Sequence, residues 1–426
     1  MDTETRQRLV ALRRDLHRHP EPAWCEFYTT ARVVAECRRV GVDALHVGRD
    51  AIDPDARMAV PDDDTLAEWY ERALDAGADE AVLEQLEGGH TGAVAVLERG
   101  DGPTVGLRVD IDALQITEAD SDDHLPAREG FRSENEGYMH ACGHDGHITV
   151  GIGVLEAVAA SDFEGTLKVF FQPAEERVGG GKAVAESGHL DDVDYLYAVH
   201  LGLDHPTGEV VAGVDDFLAV SHVLAEFEGE SAHAGAHPEQ GRNAVQAMAT
   251  AVQNLYAIPR HDGGATRVNA GRAGGGTATN IIPEEAFVEG EVRGETTELM
   301  EYMKEKSERV LHSAAEMHDC EVELSTEGEA PSATSDQALV DVFAAEAEGV
   351  DGVDHVMERD ALGGSEDATY LMQRVQDTGG LACYVCVGTD HPGGHHTPTF
   401  DVDEDSLAVG VDSLTRAVRA VAADRP

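Results

Sequence analysis

The stretch Met139-His-Ala-Cys-Gly-His-Asp-Gly-His147 holds three histidines, one cysteine and one aspartate within nine residues. Imidazole nitrogens and thiolates are the side-chain ligands that transition metals such as zinc prefer. A polar loop that is rich in histidine by chance is the alternative interpretation. The two interpretations are separable, because a metal site needs partner ligands elsewhere in the chain.

Candidate partners follow short apolar runs of strand length. The runs cover residues 93–97, 105–109, 167–171, 195–199 and 382–387, with helical segments such as 148–160 and 182–187 between several of them. This alternation predicts a largely parallel sheet, and in open α/β sheets the ligand site lies beyond the carboxyl ends of the strands. Together with the first stretch, the strand ends supply these metal-capable residues: Cys142, His144, Glu175, Glu176, His200 and His396.

Six such residues are more than one metal ion needs and about what two ions need. In a hydrolase with two metal ions, a shared ligand bridges the ions and a separate carboxylate accepts the proton of the attacking water. The adjacent Glu175 and Glu176 can divide these tasks, one as a ligand and the other as the base. A solvated surface turn is the ordinary alternative for a Glu-Glu pair, but this pair follows an apolar strand and Pro173.

The amino-acid composition indicates the kind of environment and the kinds of partner, and it says little about the reaction. The 426 residues include 31 basic and 83 acidic side chains, for a formal net charge of −52. The regular apolar segments exclude disorder, so the acidic surface predicts a halophilic protein. Nucleic acid is not expected as a partner, because binding phosphates requires a basic surface. With no apolar run of about 18 residues and no signal peptide, we expect a cytoplasmic protein without a membrane contact.

The length of the chain and a change in its pattern of strands and helices together predict two domains. Residues 3–40 are predicted to be helical with a break at 19–22, and residues 65–86 are predicted to form one helix inside a polar insert. Between 215 and 331, alternating strands are separated by two long helices, which is typical of an α+β domain. The prediction is an α/β fold whose mixed, largely parallel sheet is flanked by helices and formed by residues 1–214 and 332–426, with a smaller inserted domain at 215–331.

Several of these motifs resemble the M20 family of metallopeptidases and amidohydrolases, in its aminoacylase-like branch. The motifs that carry the resemblance are Leu107-Arg-Val-Asp-Ile-Asp-Ala-Leu114, His140-Ala-Cys-Gly-His-Asp145, Phe171-Gln-Pro-Ala-Glu-Glu176, Ala198-Val-His200, Gly363-Gly-Ser-Glu-Asp367 and His395-His-Thr-Pro398. They span nearly the whole chain. The resemblance implies two divalent metal ions per subunit, and it favours manganese, whereas a cysteine ligand favours zinc.

The resemblance also implies a role for each site residue. Cys142 would bridge the ions, His144 and His200 would bind one ion each, and Glu176 and His396 would complete the two ligand sets. Glu175 would be the general base, and Asp110 would orient a ligand. Arg108 stands where other branches of the family keep a metal-binding histidine.

In the inserted domain, the resemblance implies a role in dimerisation and as a lid. His233 would reach into the partner's active site and donate a hydrogen bond to the oxyanion there, and Asn280 and Arg293 would hold the carboxylate of the substrate. Without the resemblance, Arg293 would be an ordinary surface residue and Asn280 a turn former before Pro283.

The expected function is hydrolysis of the amide bond of an N-acyl or N-aroyl amino acid by a homodimer, with or without a related B-type subunit. A closer likeness within the branch, at residues 48–49, 57–62, 87–92, 234–243, 364–376 and 394–396, implies p-aminobenzoyl-glutamate as the first substrate. Two alternatives remain. One is a general aminoacylase for hippurate-like or indoleacetyl-amino-acid conjugates, and the other is a noncatalytic metal-binding partner subunit.

Overall fold

The chain divides into two units in this computed structural model, which describes every residue from Met1 to Pro426. Unit one comprises Met1–Asp215, Ala333–Leu362 and Asp367–Pro426, and unit two comprises Asp216–Ser332 and Gly363–Glu366. No pattern in the sequence pointed to the short second segment of unit two.

Helices occupy both units. They are α1 (Thr3–Arg18), α2 (Phe27–Val40), α3 (Asp63–Asp75), α4 (Glu80–Leu83), α5 (Leu125–Glu129), α6 (His144–Ala159), α7 (Gly181–Ala185), α8 (Ala244–Leu255), α9 (Thr297–Met317), α10 (Gln337–Ala347), α11 (Ala368–Asp377) and α12 (Glu404–Asp424). None of them combines the length and the apolar composition needed to cross a bilayer.

The strands form one large sheet, one four-stranded sheet and two short pairs. They are β1 (Ala44–Val47), β2 (Ala93–Glu98), β3 (Thr104–Asp110), β4 (Thr166–Gln172), β5 (Tyr195–Leu201), β6 (Glu209–Val211), β7 (Val214–Asp215), β8 (Ala219–Glu228), β9 (Ala232–His233), β10 (Thr266–Gly275), β11 (Ile281–Ile282), β12 (Glu285–Gly294), β13 (Glu321–Ala330), β14 (His355–Met357), β15 (Asp360–Ala361) and β16 (Leu381–Val387).

The large sheet of unit one has the order β1-β2-β4-β3-β5-β16-β6-β14. Its centre is parallel, since β3 pairs in parallel with β4 and β5, and β5 with β16. The antiparallel pairs β1 with β2, β2 with β4, and β16 with β6 lie towards the edges. The predicted mixed, largely parallel α/β sheet is therefore confirmed. The carboxyl ends of β3, β4, β5 and β16 are the ends at which the polar motifs begin.

Helix α6 is buried along most of its length and packs against α1, α2 and α12. Two glycines permit this close packing. A Cβ at Gly146 would lie 2.5 Å from Leu201 at the end of β5, and a Cβ at Gly153 would lie 2.4 Å from Val411 of α12. These approaches hold the first turn of α6, which begins at His144, against the end of the central strand.

Of the two helical segments predicted before the first long strand, one agrees with the structure and one does not. The helical segment 3–40 is broken as predicted, into α1 and α2. The single helix predicted at 65–86 is wrong, because α3 ends at Asp75 and the chain reaches α4 through Gly77 at a φ of +90°. Glycine adopts this left-handed conformation readily and thereby ends a helix. The amphipathic pattern continues across the break, since Trp69, Ala73, Val82 and Leu86 share one small core.

Unit two is an α+β structure. Its four-stranded antiparallel sheet has the order β10-β12-β8-β13, and α8 and α9 pack on it. Alternate residues of β8 and β12, such as Ala225, Phe227 and Val288, join the two helices in a separate apolar core. The second sheet of unit two is the short pair of β9 with β11.

Candidate metal centre

Three strand ends and one helix start bring the predicted ligands of unit one together. Cys142 directly precedes Gly143, the N-cap residue of α6, and His144 is the first residue of that helix. Glu175 and Glu176 follow β4, and His200 lies at the end of β5. His396 lies in the segment between β16 and α12, where its backbone N–H donates to the carbonyl of Ala141 at 2.8 Å.

The ligand atoms form two triplets that share one residue. The potential donor atoms of Cys142, His144 and His200 all lie within 4.8 Å of one another, and the same is true of Cys142, Glu176 and His396. The Cys142 sulfur belongs to both triplets. A ligand that bridges two ions would have to be shared in this way. Such a set of thiolate, imidazole and carboxylate donors suits transition metals.

His200 is held in the tautomer that a metal ligand requires. Its Nδ1 donates to the carbonyl of Leu201 at 2.8 Å, which leaves the Nε2 lone pair directed at Cys142 Sγ, 3.4 Å away. A carbonyl acceptor on the second ring nitrogen is the usual support for a ligating histidine. Burial and the neighbouring ring of His147 hold the pKa of His200 well below its ordinary value, so the imidazole is neutral.

His144 provides the test of whether a cation fits. Its buried Nε2 makes no hydrogen bond, although oxygens of Asp110, Glu176 and Glu175 surround it at 3.7, 3.7 and 4.0 Å. These separations are too long for hydrogen bonds and leave room for an ion between the donors. Burial alone would lower the pKa of His144, but the surrounding carboxylates outweigh it and raise the pKa to about 10. The residues present therefore fit a divalent cation.

Asp112 is the carboxylate that contacts the Nδ1 of His144 directly. Asp112 Oδ1 lies 3.2 Å from His144 Nδ1, and its Oδ2 accepts from the backbone N–H of Glu176 at 3.0 Å. Asp110 instead contacts His147 Nδ1 at 2.5 Å and forms an ion pair with Arg108 at 2.8 Å. The role of Asp110 in orienting a ligand stays a prediction, and Asp112, the buried residue two positions further along, is a second candidate for that role because it reaches His144 directly.

His147 is a second residue that the sequence did not single out. Its Nε2 accepts from the backbone N–H of Leu201 at 2.8 Å, so the pair Asp110–His147 links the ends of β3 and β5. Its position three residues after His144, on the same helix, was the available signal.

The turn that presents the two glutamates is strained. Ala174 and Val178, which flank the 3₁₀ turn Glu175–Arg177, both have left-handed backbones, with φ of 57° and 46°. Glu26 accepts the N–H of Ala174 at 2.8 Å and the hydroxyl of Thr91 at 2.5 Å. Burial and the charge of Asp112 raise the pKa of Glu26 well above its usual value. Glu26 thus anchors the turn from a distant part of the chain, and no local motif marks it.

Arg108 is enclosed by polar partners beneath the site. It binds Asp110, Gln172 at 2.8 Å and Asp367 at 3.3 Å, all buried. Asp367 also accepts the backbone N–H groups of Gly180 and Gly181. In this chain the arginine therefore joins β3 to β4 and to the start of α11.

The remaining predicted residues lie in unit two. His233 is exposed and pairs with Ile281 across β9 and β11, and Ala234 donates to the carbonyl of Asn280 at 2.9 Å. His233 Nδ1 accepts from the N–H groups of Gly235 and Ala236, both at 3.1 Å, so Nε2 carries the proton and points away from this turn.

Arg293 is half-buried and already has a carboxylate partner. Its fork binds both oxygens of Glu291 at 2.9 and 3.0 Å, and its Nη1 lies 3.5 Å from the hydroxyl of Ser365. Hydrogen bonds from His222 and Arg293 lower the pKa of Glu291 to about 2.

A parallel-centred sheet whose strand ends gather thiolate, imidazole and carboxylate donors defines the class of the protein as a metal-dependent hydrolase. The sequence profile of Peptidase family M20/M25/M40 matches residues 106–420. The chain belongs to this family and is a hydrolase of amide bonds. Both predictions are thereby confirmed.

Similar proteins cover nearly the whole chain. Indole-3-acetyl-aspartic acid hydrolase of Enterobacter agglomerans is 45% identical over 406 residues, which cover 94% of this chain and 93% of that protein. The A-type subunit of p-aminobenzoyl-glutamate hydrolase from Escherichia coli is 41% identical over 408 residues, with coverage of 95% and 93%.

Two solved structures are similar along their full length. The aminobenzoyl-glutamate utilization protein of Klebsiella pneumoniae superposes with a TM-score of 0.84 at 37% identity, covering 98% of this chain and 97% of that chain. A dinuclear metal-binding peptidase of the M20 family from Bacillus subtilis gives a TM-score of 0.67 at 25% identity, with coverage of 99% for each chain.

Proposed function

We propose that the protein hydrolyses the amide bond of N-acyl and N-aroyl amino acids, with p-aminobenzoyl-glutamate as the first substrate. The observation that carries the proposal is the pair of triplets around Cys142, with a further carboxylate, Glu175, beside them. Indole-3-acetyl-aspartate is the second candidate, because the hydrolase named for it is 45% identical. Both compounds join an aromatic acyl group to a dicarboxylic amino acid.

The centre is proposed to hold two divalent ions, either Mn²⁺ or Zn²⁺. Cys142, which belongs to both triplets, would be shared by the two ions, and His144, His200, Glu176 and His396 would supply the remaining protein ligands. When bound, the ions supply Lewis acidity to the amide carbonyl and to the attacking water. Asp112 and the carbonyl of Leu201 keep the two buried imidazoles in their ligating orientation.

Glu175 is proposed as the general base. The carboxylate accepts a proton from the attacking water and then donates it to the nitrogen of the departing amino acid, which regenerates the carboxylate. The strained turn between Ala174 and Val178, anchored by Glu26, directs Glu175 and Glu176 from one short segment. Adjacent residues can then perform different tasks.

The inserted unit is proposed to act as a lid and as the dimer contact. His233, whose Nε2 carries the proton, donates to the oxyanion of the tetrahedral intermediate in a partner subunit. Asn280 and Arg293 bind the carboxylates of the substrate, with Arg293 held in place by Glu291. A homodimer is sufficient for this arrangement, and a related B-type subunit could supply the same residues.

The test is hydrolysis by the purified chain alone. The protein is stripped with a chelator, reloaded with Mn²⁺ or Zn²⁺, and supplied with p-aminobenzoyl-glutamate, indole-3-acetyl-aspartate and hippurate in separate reactions. We expect metal-dependent release of glutamate or aspartate, with kcat/KM larger for the two dicarboxylic conjugates than for hippurate. Preference for hippurate would favour a general aminoacylase.

A metal-loaded chain that hydrolyses none of the three compounds would contradict the proposal. Addition of a B-type subunit then distinguishes an enzyme that needs its partner from a noncatalytic subunit. The Glu175→Gln variant, mixed with the same partner, is the control: activity that survives in this mixture belongs to the partner.

A further inference from the structure

We propose that the chain carries a third metal site, formed by Asp204, His391 and His395, which takes a divalent transition metal such as Zn²⁺. One potential ligand atom from each residue lies within 4.8 Å of the other two. Two imidazoles and one carboxylate form a ligand set of the kind that binds zinc, and three protein ligands leave a fourth position for water. The site shares no residue with the two triplets around Cys142.

The two histidines are held together by aromatic packing. Their ring centroids lie 4.7 Å apart at an interplanar angle of 63°. Both rings also pack against the buried Phe400, His391 at 5.6 Å and His395 at 4.9 Å. This packing uses ring faces and edges and so orders the imidazoles. His395 Nε2 donates to the carbonyl of Leu201 at 3.1 Å, which leaves its Nδ1 available to a ligand.

The backbone opposite the histidines leaves space for them. Gly202 has a φ of +87°, and a Cβ at this position would lie 2.8 Å from His395 Cε1 and 3.0 Å from His391 Cδ2. Leu203 and Asp204 continue in the left-handed region, at φ of 47° and 66°. Successive left-handed residues without glycine are uncommon, and such strain is found where the surrounding structure has a use for it. Here it accompanies the approach of an acidic side chain to two imidazoles.

One polar atom of the cluster lacks a partner inside the protein. His391 Nδ1 is buried and makes no hydrogen bond. Buried ring nitrogens are almost always satisfied, so an isolated one indicates a missing partner. A cation held between His391, His395 and Asp204 would satisfy the cluster and would offset the charge of Asp204.

Occupation of this site would act on the catalytic centre through the chain itself. His395 directly precedes His396, and the segment from His391 to His396 joins the two sets of ligands. A third ion would fix both ends of that segment. It would thereby reduce the conformational freedom of the His396 side chain, which is exposed to solvent. The inference does not depend on the identity of the amide substrate.

The experiment counts metal ions and does not require activity. Wild-type protein, Asp204→Asn, His391→Ala and a control variant are dialysed to equilibrium against micromolar Zn²⁺, and zinc per chain is measured by mass spectrometry. The control is His312→Ala, which removes an exposed histidine from helix α9. We expect the two cluster variants to bind one ion fewer than wild type and the control to bind the same number. Asp204→Asn should weaken the third ion at least about tenfold.

Two outcomes would overturn the proposal. The first is an unchanged zinc count in both cluster variants. The second is the loss of more than one ion from Asp204→Asn, because these residues would then support the main centre and form no site of their own. Asp204 is exposed, so the asparagine variant is not expected to disturb folding, and circular dichroism checks this directly. Co²⁺ provides a second readout: the absorption spectrum of the third ion should disappear in Asp204→Asn and persist in His312→Ala.

Discussion

At the residue scale, Glu175 and Glu176 are neighbours with different surroundings. Glu176 Oε2 lies 3.6 Å from His396 Nε2, and the backbone N–H of Glu176 donates to Asp112, which supports the proposal that Glu176 is a metal ligand. A carboxylate oxygen of Glu175 lies 4.0 Å from His144 Nε2. We predict that Glu175→Gln lowers kcat by about a thousandfold, because it removes the proton acceptor. The change should leave two metal ions bound.

Steady-state kinetics and metal analysis of the same samples check this prediction. Glu176→Gln is the matched control, since the same substitution one residue later should reduce the metal content itself. If Glu175→Gln were fully loaded with metal and still active, another group would have to be the base. Loss of metal from Glu175→Gln would instead make Glu175 a ligand.

A second prediction concerns Glu21, which lies outside the metal centre. The carboxyl group is buried and accepts the N–H groups of Tyr28 and Thr29, both at 2.8 Å. Burial outweighs these hydrogen bonds and raises the pKa of Glu21 from 4.5 to about 8. As pH rises above about 4.5, the unfolded chain loses this proton while the folded chain keeps it. The free energy of unfolding therefore decreases until the pH passes the folded pKa.

Glu21→Gln should remove this contribution, because the amide does not titrate. Relative to wild type, the variant should gain on the order of a few kcal/mol in free energy of unfolding between pH 5 and pH 8. Urea denaturation at both pH values measures the difference. Parallel pH dependence of the two proteins would mean that Glu21 is ionised in the folded state.

The proximity of the candidate ligand residues was predictable from the order of strands and polar motifs in the chain. Residues that follow parallel strands meet at one edge of a sheet, and this was enough to group Glu175, Glu176, His200 and His396 with the stretch at Cys142. It could not separate Asp110 from Asp112. Which of the two aspartates contacts His144 depends on how the chain turns after β3, and that turn is held by backbone hydrogen bonds of Ala113 with Glu21 and of Leu114 with Met139. Glu26 was out of reach for the same reason, since only tertiary packing brings it to Ala174.

At the scale of elements, α1 contacts the surroundings of the candidate metal centre through the buried side chains of Arg13 and His17. Arg13 pairs with Asp145 at 2.9 Å, next to His144, and with Asp401 at 2.6 Å, in the segment that follows His396. The arginine and Asp145 are fully buried. Arg13→Met would leave the buried Asp401 without its counter-charge and Asp145 with His17, at 2.7 Å, as its remaining ion-pair partner. Removing one partner of a buried pair typically costs about 3–5 kcal/mol. We expect a loss of that size in the free energy of unfolding.

Arg6→Met is the control on the same helix. Arg6 pairs with Asp405 at the surface, where both side chains are largely exposed. Exposed pairs of this kind contribute about 0–1 kcal/mol. Urea unfolding at constant salt compares the two variants. Equal effects from both would mean that the buried network does not depend on Arg13.

The elements themselves were largely predictable. The apolar runs gave strands within one or two residues of those observed, because strands buried on both faces are continuous in hydrophobicity. The region 65–86 was not, because the amphipathic period continues through the break at Gly77. Trp69 of α3 and Leu86 pack into one small core, so the apolar residues before and after the break at Gly77 face the same side.

At the scale of the whole molecule, the formal net charge of −52 is the property with the largest expected effect on stability. Self-repulsion of this size is screened only when the Debye length becomes short, about 3 Å near 1 M salt compared with about 10 Å at 0.1 M. We predict that the free energy of unfolding and the activity both rise with salt. Circular dichroism and kinetics across a KCl series test this. Full structure and activity at low salt would contradict the halophilic interpretation.

The last prediction concerns completion of the active site across a dimer. His233 lies in unit two, and its exposed Nε2–H is oriented by two backbone donors to Nδ1. As an oxyanion donor it should contribute about 100–1000-fold to kcat, so His233→Ala should be nearly inactive. The His233→Ala variant keeps the proposed metal ligands and Glu175 intact. Glu175→Gln, conversely, keeps an intact His233.

Mixing the two inactive variants under conditions that exchange subunits should restore activity. Each heterodimer contains one site with the base and ligands of one chain and His233 of the other, so random exchange should recover up to about a quarter of wild-type activity. Native mass spectrometry confirms the heterodimers, and a double variant, Glu175→Gln with His233→Ala, mixed with either single variant is the control that should restore nothing. If confirmed heterodimers remain inactive, His233 acts within its own chain or has no part in catalysis.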